Sequence, residues 1–183
     1  FNISRIPIRE ALAKLQEHGL VMNHERRGMF VTVLTDDDVQ RINSLRLVLE
    51  TEALKLCTAR MNKAVAARLT ELVEQMDNWG PKSDIDAAAI DLEFHRTMWA
   101  TAGNPYLAKA LDSLATVLFA HTALENVNHH LKAWQLQHHR SLLEVVLGNS
   151  SMSPEDAVLS HLQIHFKAPE RFSSFGLNAD APK

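Results

Sequence analysis

The segment SRIPIREALAKLQEHGLV, Ser4–Val21, is the most informative stretch of this sequence. Ser4 is a typical N-cap for a helix, and Gly19 predicts where that helix ends. Arg5 and Arg9 are four residues apart and therefore project from one side near the N-terminus of the helix. Apolar residues at helical spacing define another face, which consists of Ile8, Ala11, Leu12 and Leu15.

A β-hairpin is predicted directly after this helix. Residues 20–22 and 29–33 have the composition of two short strands, and the turn between them carries Arg26 and Arg27. A helix with arginines at its leading end, followed by a hairpin with a basic tip, suits a module that places the helix in the major groove of DNA. The hairpin then contacts the backbone or the minor groove. The sequence therefore indicates a DNA-binding domain over residues 1–34, although an ordinary amphipathic helix with solvated arginines is the alternative.

The same residues resemble the second half of the winged helix-turn-helix of GntR-superfamily transcription regulators. The similarity lies in the pattern S-R-x-P-x-R-E-A-L-x-x-L-x-x-x-G-L-V, followed by R-G-x-x-V. The resemblance implies that Ser4, Arg5 and Arg9 contact operator DNA and that Gly28 is the glycine of the wing. Because that family has further helices before this point, we expect the chain to be a truncated regulator. We also expect it to bind DNA poorly, since nothing before the recognition helix orients it.

The composition suits a globular protein that does not span a membrane. The chain has 183 residues, of which 46% are hydrophobic and 22% charged. No apolar run reaches the roughly 18 residues that a bilayer requires. The net charge is −3, but residues 1–34 carry five Lys or Arg against three Asp or Glu, an excess of +2 that leaves −5 for the rest. We expect a homodimer, which would double this modest basic surface.

Cysteine usage fits a reducing compartment. Cys57 is the single cysteine, so an intrachain disulfide is impossible. Cys57 lies on an apolar helical stripe, where we expect a small core residue and not a nucleophile. We therefore predict a cytoplasmic location and no role for Cys57 in chemistry.

The rest of the chain predicts an all-α antiparallel bundle over residues 35–172. Thr35 and the three acids after it are typical of a helix N-terminus, which places the domain boundary there. A bend is predicted at 126–130, and the tail 173–183 has no periodicity, so we expect it to be disordered. Six helices are predicted, over about residues 36–61, 63–79, 85–102, 105–124, 131–147 and 154–171.

Four residues on inward faces of three of these helices form a candidate metal-binding set. Asp91 and His95 are four residues apart and share a face, whereas His139 and His161 lie on apolar stripes of two later helices. Three imidazoles and a carboxylate suit Zn²⁺, Ni²⁺, Fe²⁺, Mn²⁺ or Co²⁺ and suit Ca²⁺ poorly. The alternative is that these histidines are ordinary core residues, and spacing alone leaves both possibilities open.

Arg46 lies beside an apolar stripe of the first bundle helix that includes Ile42, Leu45 and Leu49. A guanidinium directed toward a core needs an anionic or hydrogen-bonding partner. That partner is either a bound ligand or an internal carboxylate such as Glu50, one turn further along the helix.

This part of the chain resembles the C-terminal effector domain of the FadR-type (FCD) branch of the GntR regulators. The similarity lies in D-x-x-F-H at 91–95, N-P at 104–105, H-R-x-L-L at 139–143 and a histidine in the last helix. The resemblance implies that a divalent metal lies beneath a pocket for a small organic acid or sugar acid. It also implies that Arg46, in the pattern R-x-x-L-E, faces that pocket. The matching metal ligands are Asp91, His95, His139 and His161.

These observations together predict a ligand-responsive transcription regulator. Its helical domain would bind an organic-acid effector, through a divalent metal ion (Zn, Ni or similar) and Arg46, and thereby change operator affinity. A metal-dependent hydrolase or lyase is the alternative, since an ion with open coordination positions can activate water. Because no G-x-S-x-G, H-E-x-x-H or P-loop pattern occurs, we predict that the chain is not an enzyme. A dimerisation module with structural histidines is the third possibility.

Overall fold

Helices dominate the computed structural model, which describes residues 4–78, 84–129 and 139–164. Within these ranges the chain forms seven helices and one two-stranded antiparallel sheet. The elements are α1 (Arg5–Glu17), β1 (Val21–His24), β2 (Gly28–Val31), α2 (Asp36–Ala59), α3 (Lys63–Asp77), α4 (Asp84–Thr101), α5 (Pro105–His129), α6 (Arg140–Val146) and α7 (Pro154–Ile164). The mainly helical fold that the sequence predicts is confirmed.

The first three elements after the N-terminus follow the local signals of the sequence. Ser4 caps α1 by accepting a hydrogen bond from the Ile6 amide at 3.4 Å, and α1 ends just before Gly19, which has a φ of +72°. Strands β1 and β2 pair in an antiparallel hairpin in which Val21 lies opposite Val31. No residue of α1 is buried, so its apolar face is not covered by the described part of the chain. We call α1, β1 and β2 together the head.

Helix α2 is the central element of the bundle and packs against α4, α5, α6 and α7. It begins at a capping box: the Thr35 hydroxyl accepts a hydrogen bond from the Asp38 amide at 3.2 Å. The Asp38 carboxylate in turn accepts one from the Thr35 amide at 3.0 Å. Thr35 and the acids after it were the sequence signals for this helix start, and they act as predicted.

Apolar side chains from α2 to α7 hold the bundle together. Burying one large apolar side chain contributes about 1.5–3 kcal/mol, whereas an exposed ion pair contributes about 0–1 kcal/mol. Exposed pairs such as Arg96–Asp112 at 2.5 Å and Arg68–Glu93 connect neighbouring helices but add little to this interior. The largest fully buried apolar side chains are Trp99, Phe94, Leu54, Leu69, Leu72, Met76, Met98, Leu111, Leu142, Leu143 and Leu162.

Two expectations from the sequence are wrong. Helix α5 continues to His129, through most of the bend predicted at 126–130; the described part of this segment has no glycine or proline, and asparagine alone costs a helix little. Leu45 is 53% exposed instead of belonging to the buried face of α2. That face buries Asn43, Arg46 and Glu50, and Arg46 donates a hydrogen bond to each of the other two.

Several predicted elements extend beyond the described residues. The start of the predicted helix 131–147 and the end of 154–171 lie outside them, as does the tail 173–183. Within the three described ranges, no helix is long and apolar enough to cross a membrane.

The head contacts the bundle at Gly19. A Cβ atom at this position would lie 3.1 Å from Cγ2 of Val117 on α5, and the φ of Gly19 is one that L-residues rarely adopt. The Thr32 hydroxyl, just after β2, donates a hydrogen bond of 2.6 Å to the Gly19 carbonyl. Glycine therefore allows the junction between α1 and β1 to lie directly against α5.

Candidate metal centre

Three segments of the bundle bring the four predicted metal ligands together in its interior. Asp91 and His95 lie on α4, His139 immediately precedes α6, and His161 lies on α7. All four side chains are buried. One ring nitrogen from each of the three histidines lies within 4.8 Å of the other two. The role of these residues as ligands stays a prediction, but their arrangement allows its geometry to be tested.

The separations between donor atoms fit a single divalent ion. His139 Nε2 lies 2.9 Å from Asp91 Oδ1 and 3.3 Å from His95 Nε2. His95 Nε2 lies 3.4 Å from the same Asp91 oxygen. Ligand atoms about 2.0–2.2 Å from one ion are about 2.8–3.6 Å apart when they are neighbours in its shell. Two imidazole nitrogens facing each other at 3.3 Å also need a proton or a cation between them, because their lone pairs repel.

Glu50 of α2 lies beside this group and contacts His95 from the other side of the ring. Glu50 Oε2 is 3.2 Å from His95 Nδ1. A carboxylate at this distance favours the tautomer with its proton on Nδ1, which leaves Nε2 as a ligand. The sequence predicts Glu50 only as a possible partner for Arg46. The contact of Glu50 with His95 could not be predicted, because it depends on how α2 packs against α4.

Arg46 pairs with Glu50 inside the bundle. Arg46 Nε donates a hydrogen bond of 2.6 Å to Glu50 Oε1, and Arg46 Nη1 donates one of 3.3 Å to Asn43 Oδ1. The other terminal nitrogen, Nη2, is buried and has no hydrogen-bond partner in the part of the chain that the structure describes. Glu50 is therefore the internal carboxylate partner that the sequence offered for Arg46. This pairing leaves Arg46 Nη2 without a hydrogen bond among the described residues.

The Arg46–Glu50 pair places fixed opposite charges next to His95. Burial by itself raises the pKa of Glu50, but the nearby Arg46 guanidinium and His95 imidazole outweigh burial and lower that pKa to about 2. Glu50 is consequently ionised throughout the neutral pH range. An ionised carboxylate at this place would attract a cation bound on the histidine side of the pair.

Aromatic rings enclose the histidines and lower the local polarity. The Phe119 ring lies 5.8 Å from the His95 ring and 5.6 Å from Arg46 Cζ. Phe94 lies 5.1 Å from His139, and Trp99 lies 5.5 Å from His95, measured between ring centroids. These rings exclude water from the polar cluster, which strengthens the electrostatic interactions within it.

Comparison with known families assigns both parts of the chain. The FCD domain family matches residues 41–164, which is more than half of the sequence. The chain belongs to the FCD-type GntR regulators. Its first part matches the bacterial regulatory proteins of the gntR family over residues 1–31. Regulators of the GntR family bind operator DNA and effectors, so the predicted family and its transcriptional role are confirmed.

Individual relatives of this FCD regulator are also transcription regulators. YdhC of Bacillus subtilis (strain 168), an uncharacterised HTH-type transcriptional regulator, is 27% identical over 166 residues, 88% of this chain and 73% of that protein. The Nta operon transcriptional regulator of Aminobacter aminovorans is 28% identical over 167 residues, 90% of this chain and 77% of that protein. Both relatives are named as transcription regulators, which agrees with the prediction that this chain is a regulator and not an enzyme.

Structural comparison shows the same fold. The structure of a GntR transcriptional regulator from Rhodococcus sp. RHA1 matches with a TM-score of 0.71 at 20% identity, over 98% of this chain and 83% of that one. The arrangement of helices described above is thus shared with a solved structure. The alternative of a metal-dependent hydrolase or lyase receives no support from these comparisons.

The predicted DNA-contacting residues of this FCD regulator all lie on the exposed surface of the head. Arg5 and Arg9 are exposed on α1, and Ser4 caps that helix. Arg26 and Arg27 are exposed in the hairpin turn, where Arg26 has a φ of +63°. Gly28 begins β2 and is exposed as well. Its φ of +92° is one that residues with a side chain rarely adopt.

Cys57 lies on α2 and is buried in the core of the bundle, as the sequence predicts. Burial raises the pKa of its thiol to about 11. The thiol is therefore protonated at neutral pH and is a poor nucleophile.

Proposed function

We propose that this chain is an effector-responsive regulator that depends on a divalent metal. In this proposal the head binds operator DNA, and the buried cluster of α4, α6 and α7 binds the ion. The observation that carries the proposal is the convergence of one carboxylate and three imidazoles in the interior, with Glu50 orienting His95. The proposed ligands are Asp91, His95, His139 and His161.

The proposed effector is a small organic acid or sugar acid. A bound divalent ion with four protein ligands supplies further coordination positions, which carboxylate and hydroxyl oxygens suit. Arg46 adds a permanent positive charge, and its Nη2 is a buried donor without a partner among the described residues. An anion is the ligand that this donor favours, and the low polarity near Phe119 strengthens the attraction.

Operator binding is proposed to depend on Ser4, Arg5 and Arg9 of α1, supported by the hairpin tip. A homodimer would present two such heads, and operator affinity would change if the effector favours one arrangement of the heads over another. Bacterial operators lie in the cytoplasm, where we expect this activity.

Metal content and thermal stability test the metal part. We expect one equivalent of Zn²⁺ or Ni²⁺ per chain and a melting temperature that falls when EDTA removes the ion. Binding at 100 times Kd stabilises a fold by about 2.7 kcal/mol, which is a shift of several degrees. His161→Ala should lose both the metal and the EDTA effect, whereas His18→Ala, an exposed histidine of the head, should keep both.

Two results would contradict this part of the proposal. One is a purified chain without stoichiometric metal after incubation with either ion. The other is a melting temperature indifferent to chelator. Both would favour a dimerisation module with structural histidines.

Operator affinity in the presence of organic acids tests the effector part. Fluorescence anisotropy on an operator selected from a random library should show a change with at least one acid from a broad panel of carboxylic and sugar acids. Arg46→Lys retains a positive charge but loses the planar donor set, so it should weaken the response to that acid. Unchanged operator affinity with every acid would count against effector control.

A further inference from the structure

His139 has less helical support than Asp91 and His95, the two proposed metal ligands on α4. Helix α4 has 18 residues, whereas α6, which His139 precedes, has seven. Isolated helices shorter than about 12–15 residues are marginal in water, so contacts with other elements must fix the position of α6. The placement of His139 therefore depends on whatever anchors the start of that helix.

An ion pair joins the start of α6 to the end of α3. Arg140, the first residue of α6, directly follows His139 in the chain. Arg140 Nε donates a hydrogen bond of 3.1 Å to Asp77 Oδ2, and Arg140 Nη2 donates a second one to the same oxygen. Asp77 is the last residue of α3, and α3 packs against α4. The pair thus links the segment that carries His139, through α3, to the helix that carries Asp91 and His95.

Both charges of this pair lie at helix ends that disfavour them. Asp77 is at the C-terminus of α3, where the helix dipole favours a cation, and Arg140 is at the N-terminus of α6, where it favours an anion. The stability of either helix alone does not account for these residues. Local choices that oppose the surrounding secondary structure are expected where a residue has another task.

The pair lies at the surface, whereas the histidine next to it is buried. The side chains of Arg140 and Asp77 are 53% and 26% exposed, and His139 is fully buried. A metal ligand must stay within about 0.5 Å of its productive position, so a small displacement of the start of α6 would weaken the site. Exposed charges can be replaced without opening a cavity in the core, which makes this contact suitable for substitution.

We infer that Arg140 and Asp77 position His139 for metal binding by fixing the start of α6 against α3. The inference rests on the metal site of the proposed function and adds two residues that do not belong to its ligand set. Neither residue contacts the ion in this proposal, and both act through the backbone that carries His139.

The affinities for Ni²⁺ and for Zn²⁺, measured by competition with a chromophoric chelator, test this role. Arg140→Ala and Asp77→Asn should each lower the affinity about three- to fivefold at low ionic strength, the upper part of the range for an exposed ion pair. The melting temperature of the metal-free chain should change by no more than about 4 °C. Added salt should bring the wild-type affinity closer to that of the variants, because it screens the pair.

The matched control is Arg96→Ala. Arg96 directly follows His95, and it pairs with Asp112 on α5 at 2.5 Å, with both side chains similarly exposed. Because His95 lies within α4 and Glu50 contacts its ring, loss of this pair should leave the metal affinity within about twofold of wild type. Equal losses for Arg96→Ala and Arg140→Ala would overturn the inference.

Exchange of the two charges tests whether pairing is the cause. Asp77→Arg sets two cations together and should lower the metal affinity more than Asp77→Asn does. The double variant Asp77→Arg/Arg140→Asp restores opposite charges and should recover most of the loss. Single variants with wild-type affinity, or a double variant without recovery, would overturn the inference but leave the metal site standing. A wild-type chain that takes up neither ion would overturn both.

Discussion

The head and the bundle place their candidate functional side chains in opposite environments. Arg5 and Arg9 are exposed on α1, a helix that buries none of its residues. His95 and His139 are buried and come from segments distant in the chain. A DNA-binding surface can thus be formed by a helix and an adjoining hairpin, whereas the polar cluster exists only where several helices pack. Substitutions in the two regions should therefore have different consequences, since only the cluster is coupled to the stability of the fold.

The largest effect is expected for Glu50→Ala. This change leaves the buried Arg46 guanidinium without its carboxylate, and breaking a buried pair from one side costs about 3–5 kcal/mol. Urea denaturation monitored by circular dichroism should show this loss in the free energy of unfolding.

The matched control for Glu50→Ala is Glu71→Ala, which removes the exposed carboxylate 2.6 Å from Arg68. It should change the free energy of unfolding by no more than about 1 kcal/mol. Equal effects of the two substitutions would show that the buried Arg46–Glu50 pair contributes no more to stability than an exposed ion pair does.

Arg5→Ala and Arg9→Ala should leave the free energy of unfolding nearly unchanged but weaken operator binding. A well-placed arginine contact to a base contributes about 1–3 kcal/mol of discrimination. The measurement is anisotropy with the selected operator at fixed salt. Lys14→Ala, on the same helix but about two and a half turns from Arg5, should have a smaller effect. A larger loss for Lys14→Ala would contradict the proposed orientation of α1.

The smallest effect is expected for the hairpin tip. Arg26→Ala or Arg27→Ala should weaken binding to operator and to unrelated DNA by similar factors. If either contacts a phosphate, the slope of log K against log salt should decrease in magnitude by about 0.9. A loss confined to operator DNA would instead indicate that the hairpin contacts bases.

Much of this contrast is visible in the sequence because caps and turns are local. Ser4, Gly19 and the Thr35–Asp38 box mark helix ends with side chains a few residues away. The spacing of Asp91 and His95 likewise places both on one face of a helix. Spacing alone did not assign His139 and His161 to the same site, and their predicted role came from the resemblance to the FCD branch.

The parts that sequence could not predict depend on contacts between helices. The contact of Glu50 with His95 requires α2 and α4 to pack at one particular level. The exposure of Leu45 also depends on packing, because the buried side of α2 contains Arg46, which donates hydrogen bonds to Asn43 and Glu50.

Helix α5 lies between the head and the buried polar cluster, and Val117 on this helix contacts Gly19 of the head. Val117 and Phe119 are two positions apart on α5 and therefore project to nearly opposite sides of it. Val117 lies against Gly19, just after α1, whereas Phe119 adjoins Arg46 and His95. The width of one helix, about 10 Å, therefore separates the buried polar cluster from the contact with the head. A small rotation or translation of α5 would displace both at once.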